Sequence, residues 1–142
     1  MDHVVYVSRA ARELDRLLSG SRTMLVRGSH GKKAPYGQVS EGDRLFFATG
    51  NSSRNVVKAA AAVDSVFDSP KLSGLEPECL LAGNAGRLQL CDVEMGKWSG
   101  KRFLTLIGLA DVGPVVPFTI AARGSGEDGD WIVLDDIDEV IE

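Results

Sequence analysis

Leu17-Leu18-Ser19-Gly20-Ser21-Arg22-Thr23-Met24-Leu25-Val26-Arg27 is the stretch that decides the fold. It joins a helix to a strand with almost no linker. Upstream, Ser8 is suited to cap a helix running to about Ser19. Ala11, Leu14, Leu17 and Leu18 form one apolar stripe at helical spacing, with Arg9, Arg12, Glu13 and Arg16 away from it. Gly20 suits the left-handed residue that ends a helix. Arg22–Arg27 then alternates as a strand does, with Thr23, Leu25 and Arg27 on one face and Arg22, Met24 and Val26 on the other. Two fixed cations and a hydroxyl therefore stand beside a tight helix-strand joint, a place suited to an anionic or polar ligand.

Outward from this joint the chain reads as α+β. Val4–Val7 is a first strand or core segment. Residues 28–37 form a loop by composition, rich in glycine and carrying His30, Lys32, Lys33 and Tyr36. Ser40-Glu41-Gly42-Asp43 reads as a turn, Arg44–Ala48 as a strand, and Asn51-Ser52-Ser53 as another turn. Val56–Phe67 is expected to be a strand, and Ser73 to about Leu90 a short or irregular helix broken at Gly83 and Gly86. Gly96–Gly100 reads as a turn containing Trp98. Arg102–Leu109 and Val115–Ile120 read as two strands, the second an edge or bent strand because of Pro117. Gly124–Asp130 is a polar loop, Trp131–Leu134 a last strand, and Asp135–Glu142 an acidic, solvated tail with room for a short helix. No strand-helix-strand rhythm of a parallel sheet is visible. The expectation is one domain over residues 1–142, with about five or six strands.

Composition supports a globular chain. Its 142 residues are 44% apolar and 25% charged, an ordinary balance for a globular domain. No run reaches the roughly 18 apolar residues that span a bilayer. Asp2 stands where a signal peptide wants a base, which points to the cytoplasm and away from membranes. Cys79 and Cys91 lack metal-ligand spacing and are expected as reduced, partly buried thiols. The net charge of −4 is split: residues 1–58 hold ten Lys/Arg against five Asp/Glu, and residues 59–142 hold six against fifteen. That split points to a basic surface in the first half.

Several motifs are excluded by their residues. Gly28-Ser29-His30-Gly31-Lys32-Lys33 resembles a phosphate loop, but Val26 and Lys33 stand where that loop needs a glycine and a hydroxyl. Ser29 and His30 have no carboxylate partner in view for a catalytic triad. Two histidines give no metal-binding spacing, and Asp135–Glu139 lacks the ligand order of a calcium loop. No cofactor, metal or catalytic residue is expected. Lys32 and Lys33 remain as a basic loop for phosphate, and Tyr36 as the aromatic placed to stack on a base. Phe46 and Phe47 point to opposite sides of their strand, so core packing is expected of most other aromatics.

With the helix, Gly20-Ser21-Arg22-Thr23, the strand ending in Arg27, and Gly42-Asp43 opening the next strand, the chain resembles the ASCH family of the PUA-like superfamily. The resemblance is direct over residues 8–67, and the later strands are compatible with it. It implies a small PUA-like mixed or antiparallel β-barrel with a helix before the first motif strand, one or two short helices, and a cleft beside the first helix. It also implies association with RNA or a nucleotide. Some family members hydrolyse an acetylated cytidine amide, using a lysine and a threonine at positions that are Arg22 and Leu25 here. Arginine stays protonated and is a poor base, and leucine offers no nucleophile. The reading is therefore an RNA- or nucleotide-binding module with a cationic cleft at Arg22, Thr23, Arg27, Lys32, Lys33 and Tyr36. Two alternatives stand beside it: a hydrolase of a modified nucleoside, using Lys32 or Lys58 with an acid from the second half, and a homodimeric protein-interaction module.

Overall fold

The computed structural model describes residues 1–50, 55–121 and 131–142. Its elements are β1 (Asp2–Tyr6), α1 (Glu13–Ser19), β2 (Met24–Ser29), β3 (Arg44–Gly50), β4 (Asn55–Asp68), α2 (Glu76–Gly83), α3 (Ala85–Leu88), α4 (Asp92–Trp98), β5 (Phe103–Ile120), β6 (Trp131–Leu134) and a closing 3-10 helix (Ile137–Glu139). One six-stranded sheet has the order β2-β5-β4-β3-β1-β6. It is antiparallel except where β1 runs parallel to β3.

The sheet curls because its two longest strands are bulged. β4 and β5 shift register three times along their pairing, and β3 shifts once against β4. Each bulge adds local twist and bends the strand. A 14-residue and an 18-residue strand can thereby wrap as a half-barrel instead of extending flat. Alternation then sorts side chains to two sides. Val5, Leu25, Leu45, Phe47, Ile107 and Leu109 meet Leu17 of α1 on the inner side. Val4, Phe46 and Val57 face the other way and pack under Leu134, Ile137 and Val140. Met24, Val26, Leu104 and Leu106 are covered by Leu81, Leu88 and Trp98 of α2–α4. Phe46 and Phe47 do lie on opposite sides, as their alternation requires.

The small mixed half-barrel, the helix before the motif strand, Gly20 as its left-handed cap (φ 81°) and the turn at Gly42 (φ 88°) all match the sequence reading. Five boundaries differ. α1 starts at Glu13, not Ser8, because Arg12 takes a left-handed φ of 53° and residues 9–12 form a turn. Ser8 still closes that turn, its Oγ accepting from the Ala11 N–H at 3.2 Å. Arg22 and Thr23 lie before β2 and so escape the strand's alternation. Residues 96–98 end helix α4 and do not form a turn, since the Glu94 carboxylate accepts the Cys91 N–H and caps the helix. Gly96 costs about 1 kcal/mol in helix propensity, a deficit the cap and Trp98 burial outweigh. The two strands expected at 102–109 and 115–120 are one strand, with the bulges absorbing Pro114 and Pro117. The acidic tail is docked: Ile137 and Val140 are buried, and Asp2 accepts the Ile137 N–H at 2.8 Å. Cys79 is exposed and Cys91 half-buried, both as free thiols. The turn at 51–53 and the loop at 124–130 fall outside the described residues.

Candidate functional site

Where α1, α4 and β2 meet, four charged side chains are sealed together. Arg27 continues the inner face of β2 one step beyond Leu25, opposite Thr105 of β5. Its guanidinium donates to both oxygens of Glu13, at 2.7 and 3.2 Å. Arg22 donates to Glu13 at 3.1 Å and grips Glu94 with two bonds, at 2.6 and 2.9 Å. It also donates to the Gln89 carbonyl at 3.1 Å. All four side chains are at least nine-tenths buried. Two cations and two anions balance, so the cluster carries no net charge. Burial opposes ionisation of Glu13, but the charge and hydrogen bond of Arg27, the Ser8 N–H and Arg22 outweigh it and hold its pKa below the usual carboxylate range.

Two small cavities adjoin this cluster, and Arg27 and Trp98 line both. One, with a cavity volume of about 20 Å³, has Ser8, Glu13, Glu94 and Lys97 on its walls. The other, with a cavity volume of about 40 Å³, is formed with the loop after β2: Ser29, Lys33, Pro35 and Tyr36 face Phe103 and Thr105. Lysines cap the aromatic rings here. The Lys97 ammonium sits 4.7 Å from the Trp98 ring centre, and Lys32 lies 5.9 Å from Tyr36 and 5.7 Å from Phe103. The Nε of Arg27 is buried and has no hydrogen-bond partner. Gly28 lets β5 come close: a Cβ there would lie 2.9 Å from the Phe103 carbonyl oxygen. Below the loop, the Thr105 hydroxyl donates to Asp68 at 3.0 Å, and the Tyr36 hydroxyl donates to the Ser69 carbonyl.

The six residues singled out from the sequence separate into two groups. Arg27, Lys33 and Tyr36 line one cavity, with Lys32 over its aromatic rim. Arg22 is 1% exposed and its terminal nitrogens are all engaged by Glu13, Glu94 and Gln89. Thr23 turns away from the cavities. Its hydroxyl and carbonyl both accept from Arg87, at 3.1 and 2.9 Å. Arg22 and Arg27, assigned to opposite faces by alternation, meet on the same carboxylate because Arg22 precedes the strand. Sequence reasoning left out Glu13, Glu94, Lys97 and Thr105, and weighed Trp98 for stacking but favoured core packing, which its burial agrees with. The Cys91-x-x-Glu94 spacing was the available signal for α4, a capping-box pattern with a weak first residue.

Among the described residues no group of His, Cys, Asp or Glu is placed to hold a metal, and no helix is long and apolar enough to cross a membrane. The curled six-stranded sheet, with a helix leading into the motif strand, is a PUA-like half-barrel. Within that class the chain has the ASCH fold. A solved structure of the ASCH protein from Zymomonas mobilis superposes with a TM-score of 0.59, covering 82% of this chain and 71% of that one at 15% identity. Two single-residue variants of that protein match at TM-scores of 0.60 and 0.59 and 14% identity, over 82% of this chain and 73% and 72% of theirs. No family model matches the sequence. No curated protein matches it either.

Proposed function

We propose that the protein binds RNA or a nucleotide-like ligand in the cleft at Arg27 and Trp98. One observation carries the reading: the paired cavities combine aromatic rings with lysines at the rim, while the acids beneath are already neutralised by arginines. Lys32 and Lys97 occupy ring faces in the free protein through cation–π contacts. A base stacking on Tyr36 would displace Lys32 toward solvent, where its ammonium meets the ligand's phosphate. Arg27 would present its free Nε–H from the floor, and Lys33 would add attraction without sequence preference. Arg22 serves the site indirectly, by fixing Glu13 and Glu94 and so the α1–α4 spacing.

Binding is favoured over cleavage by two positions. Arg22 is clamped as a cation, and Leu25 is fully buried in the core. The test is fluorescence anisotropy with labelled single-stranded RNA and nucleotides at low salt. Wild type should bind, and the Lys33→Gln/Tyr36→Ala variant should bind several-fold more weakly. Absence of binding to any of these probes would end the reading.

A hydrolase is supported by one local feature. The Thr105 hydroxyl, hydrogen-bonded to Asp68, lies in the cavity that Lys33 lines, which has the form of a nucleophile beside a base. Lys58 lies on β4, outside both cavities. Incubation with acylated cytidines, followed by chromatography, separates the readings. Turnover that disappears in Thr105→Val would favour hydrolysis.

A further inference from the structure

We infer that a second groove, beyond the 98–103 turn, is a phosphate subsite that makes the ligand an RNA strand of several nucleotides instead of a mononucleotide. This rests on the reading above and extends it. The groove has a volume of about 390 Å³ and is lined by Lys71, Lys101 and Arg102 together with Ser73, Gly74 and Ser99. No carboxylate lines it. The three cations form no ion pair or hydrogen bond through their side chains among the described residues. That contrasts with Arg22, Arg27, Arg44 and Arg87, which all hold acids. The neighbouring acid, Glu76, is occupied by Ser73, accepting from both its N–H and its hydroxyl at 3.0 Å.

The groove's walls are fixed before any ligand arrives. The Leu72 N–H donates to the Arg102 carbonyl at 2.7 Å, and the Lys101 N–H donates to the Trp98 carbonyl at 3.1 Å. These bonds tie the cationic segments to the helix end that carries Trp98. One short ridge therefore separates the aromatic cavities from the cationic groove: Trp98 and Phe103 face the former, and Ser99–Arg102 the latter. Half-buried Lys101 keeps an unpaired charge, which favours an anion there. A strand whose base sits against Tyr36 would carry its neighbouring phosphates over this ridge. Aromatic platforms beside a cationic track are the arrangement that holds single strands without reading their sequence.

The test compares a cytidine mononucleotide, inorganic phosphate and a single-stranded RNA of about 12 nucleotides, a length within the range one small barrel covers. Each is titrated at several salt concentrations into wild type and a Lys71→Gln/Lys101→Gln/Arg102→Gln variant. Removing three phosphate contacts should flatten the slope of log K against log salt by about 2 for the RNA. Mononucleotide binding should stay unchanged, and that also reports that the variant is folded. An unchanged RNA slope overturns the inference, including where the variant loses only inorganic phosphate. Equal affinity of wild type for the mononucleotide and the RNA overturns it too, while leaving the cleft reading intact. Failure of wild type to bind either nucleic-acid probe removes both.

Discussion

Replacing Glu94 with glutamine should be among the more damaging single-atom-scale changes in this protein. The side chain keeps its shape and one acceptor oxygen. It loses the charge that balances Arg22, along with one of the two bonds at 2.6 and 2.9 Å. The cluster is then left with two cations on the single carboxylate of Glu13. Breaking a buried pair by removing one partner costs about 3–5 kcal/mol. Glutamine's residual acceptor places this change near the lower end, about 3 kcal/mol. For a chain of this length that corresponds to roughly 10 °C in Tm. The assay is urea unfolding followed by tryptophan fluorescence, with Arg22→Met and Glu94→Leu as the single variants of a double-mutant cycle. Each single change strands a buried charge, whereas the double variant removes both. The double should therefore cost less than the sum, by about 2–3 kcal/mol. Costs below about 1 kcal/mol for each single change, or strict additivity, would refute the sealed-network account.

Other outcomes follow from particular contacts. Asp2, Glu13 and Asp43 are each penalised by burial, yet their partners hold each pKa below its ordinary value. A lowered folded-state pKa gives stability that is complete above the unfolded value and lost as pH falls through the folded one. The urea midpoint should thus be level from about pH 7 to 5 and fall below about 4; a level profile down to pH 3 would contradict this. Gly28→Ala should destabilise by about 1–3 kcal/mol, the cost of overpacking, because its Cβ meets the Phe103 carbonyl. Thermal unfolding without change would show that β5 yields there. Ile137→Ala should cost about 2–4 kcal/mol if the tail is packed on the sheet, and near zero if it is solvated; denaturant midpoints decide.

The parts of the fold that were legible in the sequence are those set by local chemistry. Gly20 ends α1 because a left-handed residue is needed there, and Gly42 turns the chain into β3 for the same reason. Phe46 and Phe47 part to opposite faces because a strand alternates. What was hidden depends on partners distant in sequence. Glu94 meets Arg22 across 72 residues, and nothing near either residue announces the pairing. Alternation alone would part Arg22 and Arg27, yet both donate to Glu13, which α1 places between them. β5 looked like two strands because prolines usually interrupt a ladder, whereas bulges against β4 carry the strand past them. Lys33, Tyr36 and Arg27 were grouped by residue type alone; that they line one cavity with Thr105 depends on how the loop after β2 packs against β5.

The central claim is that a nucleic-acid ligand enters the cleft at Arg27 and Trp98. Its most direct test is a titration of ¹⁵N-labelled protein with single-stranded RNA, following the two tryptophan indole signals. Trp98 lines both cavities, whereas the Trp131 indole N–H is bonded to buried His3 at 2.9 Å on the far strand of the sheet. The account predicts a progressive, saturable shift of the Trp98 signal with Trp131 unmoved. A Trp98 signal that stays fixed throughout, whether or not RNA binds elsewhere, would contradict it.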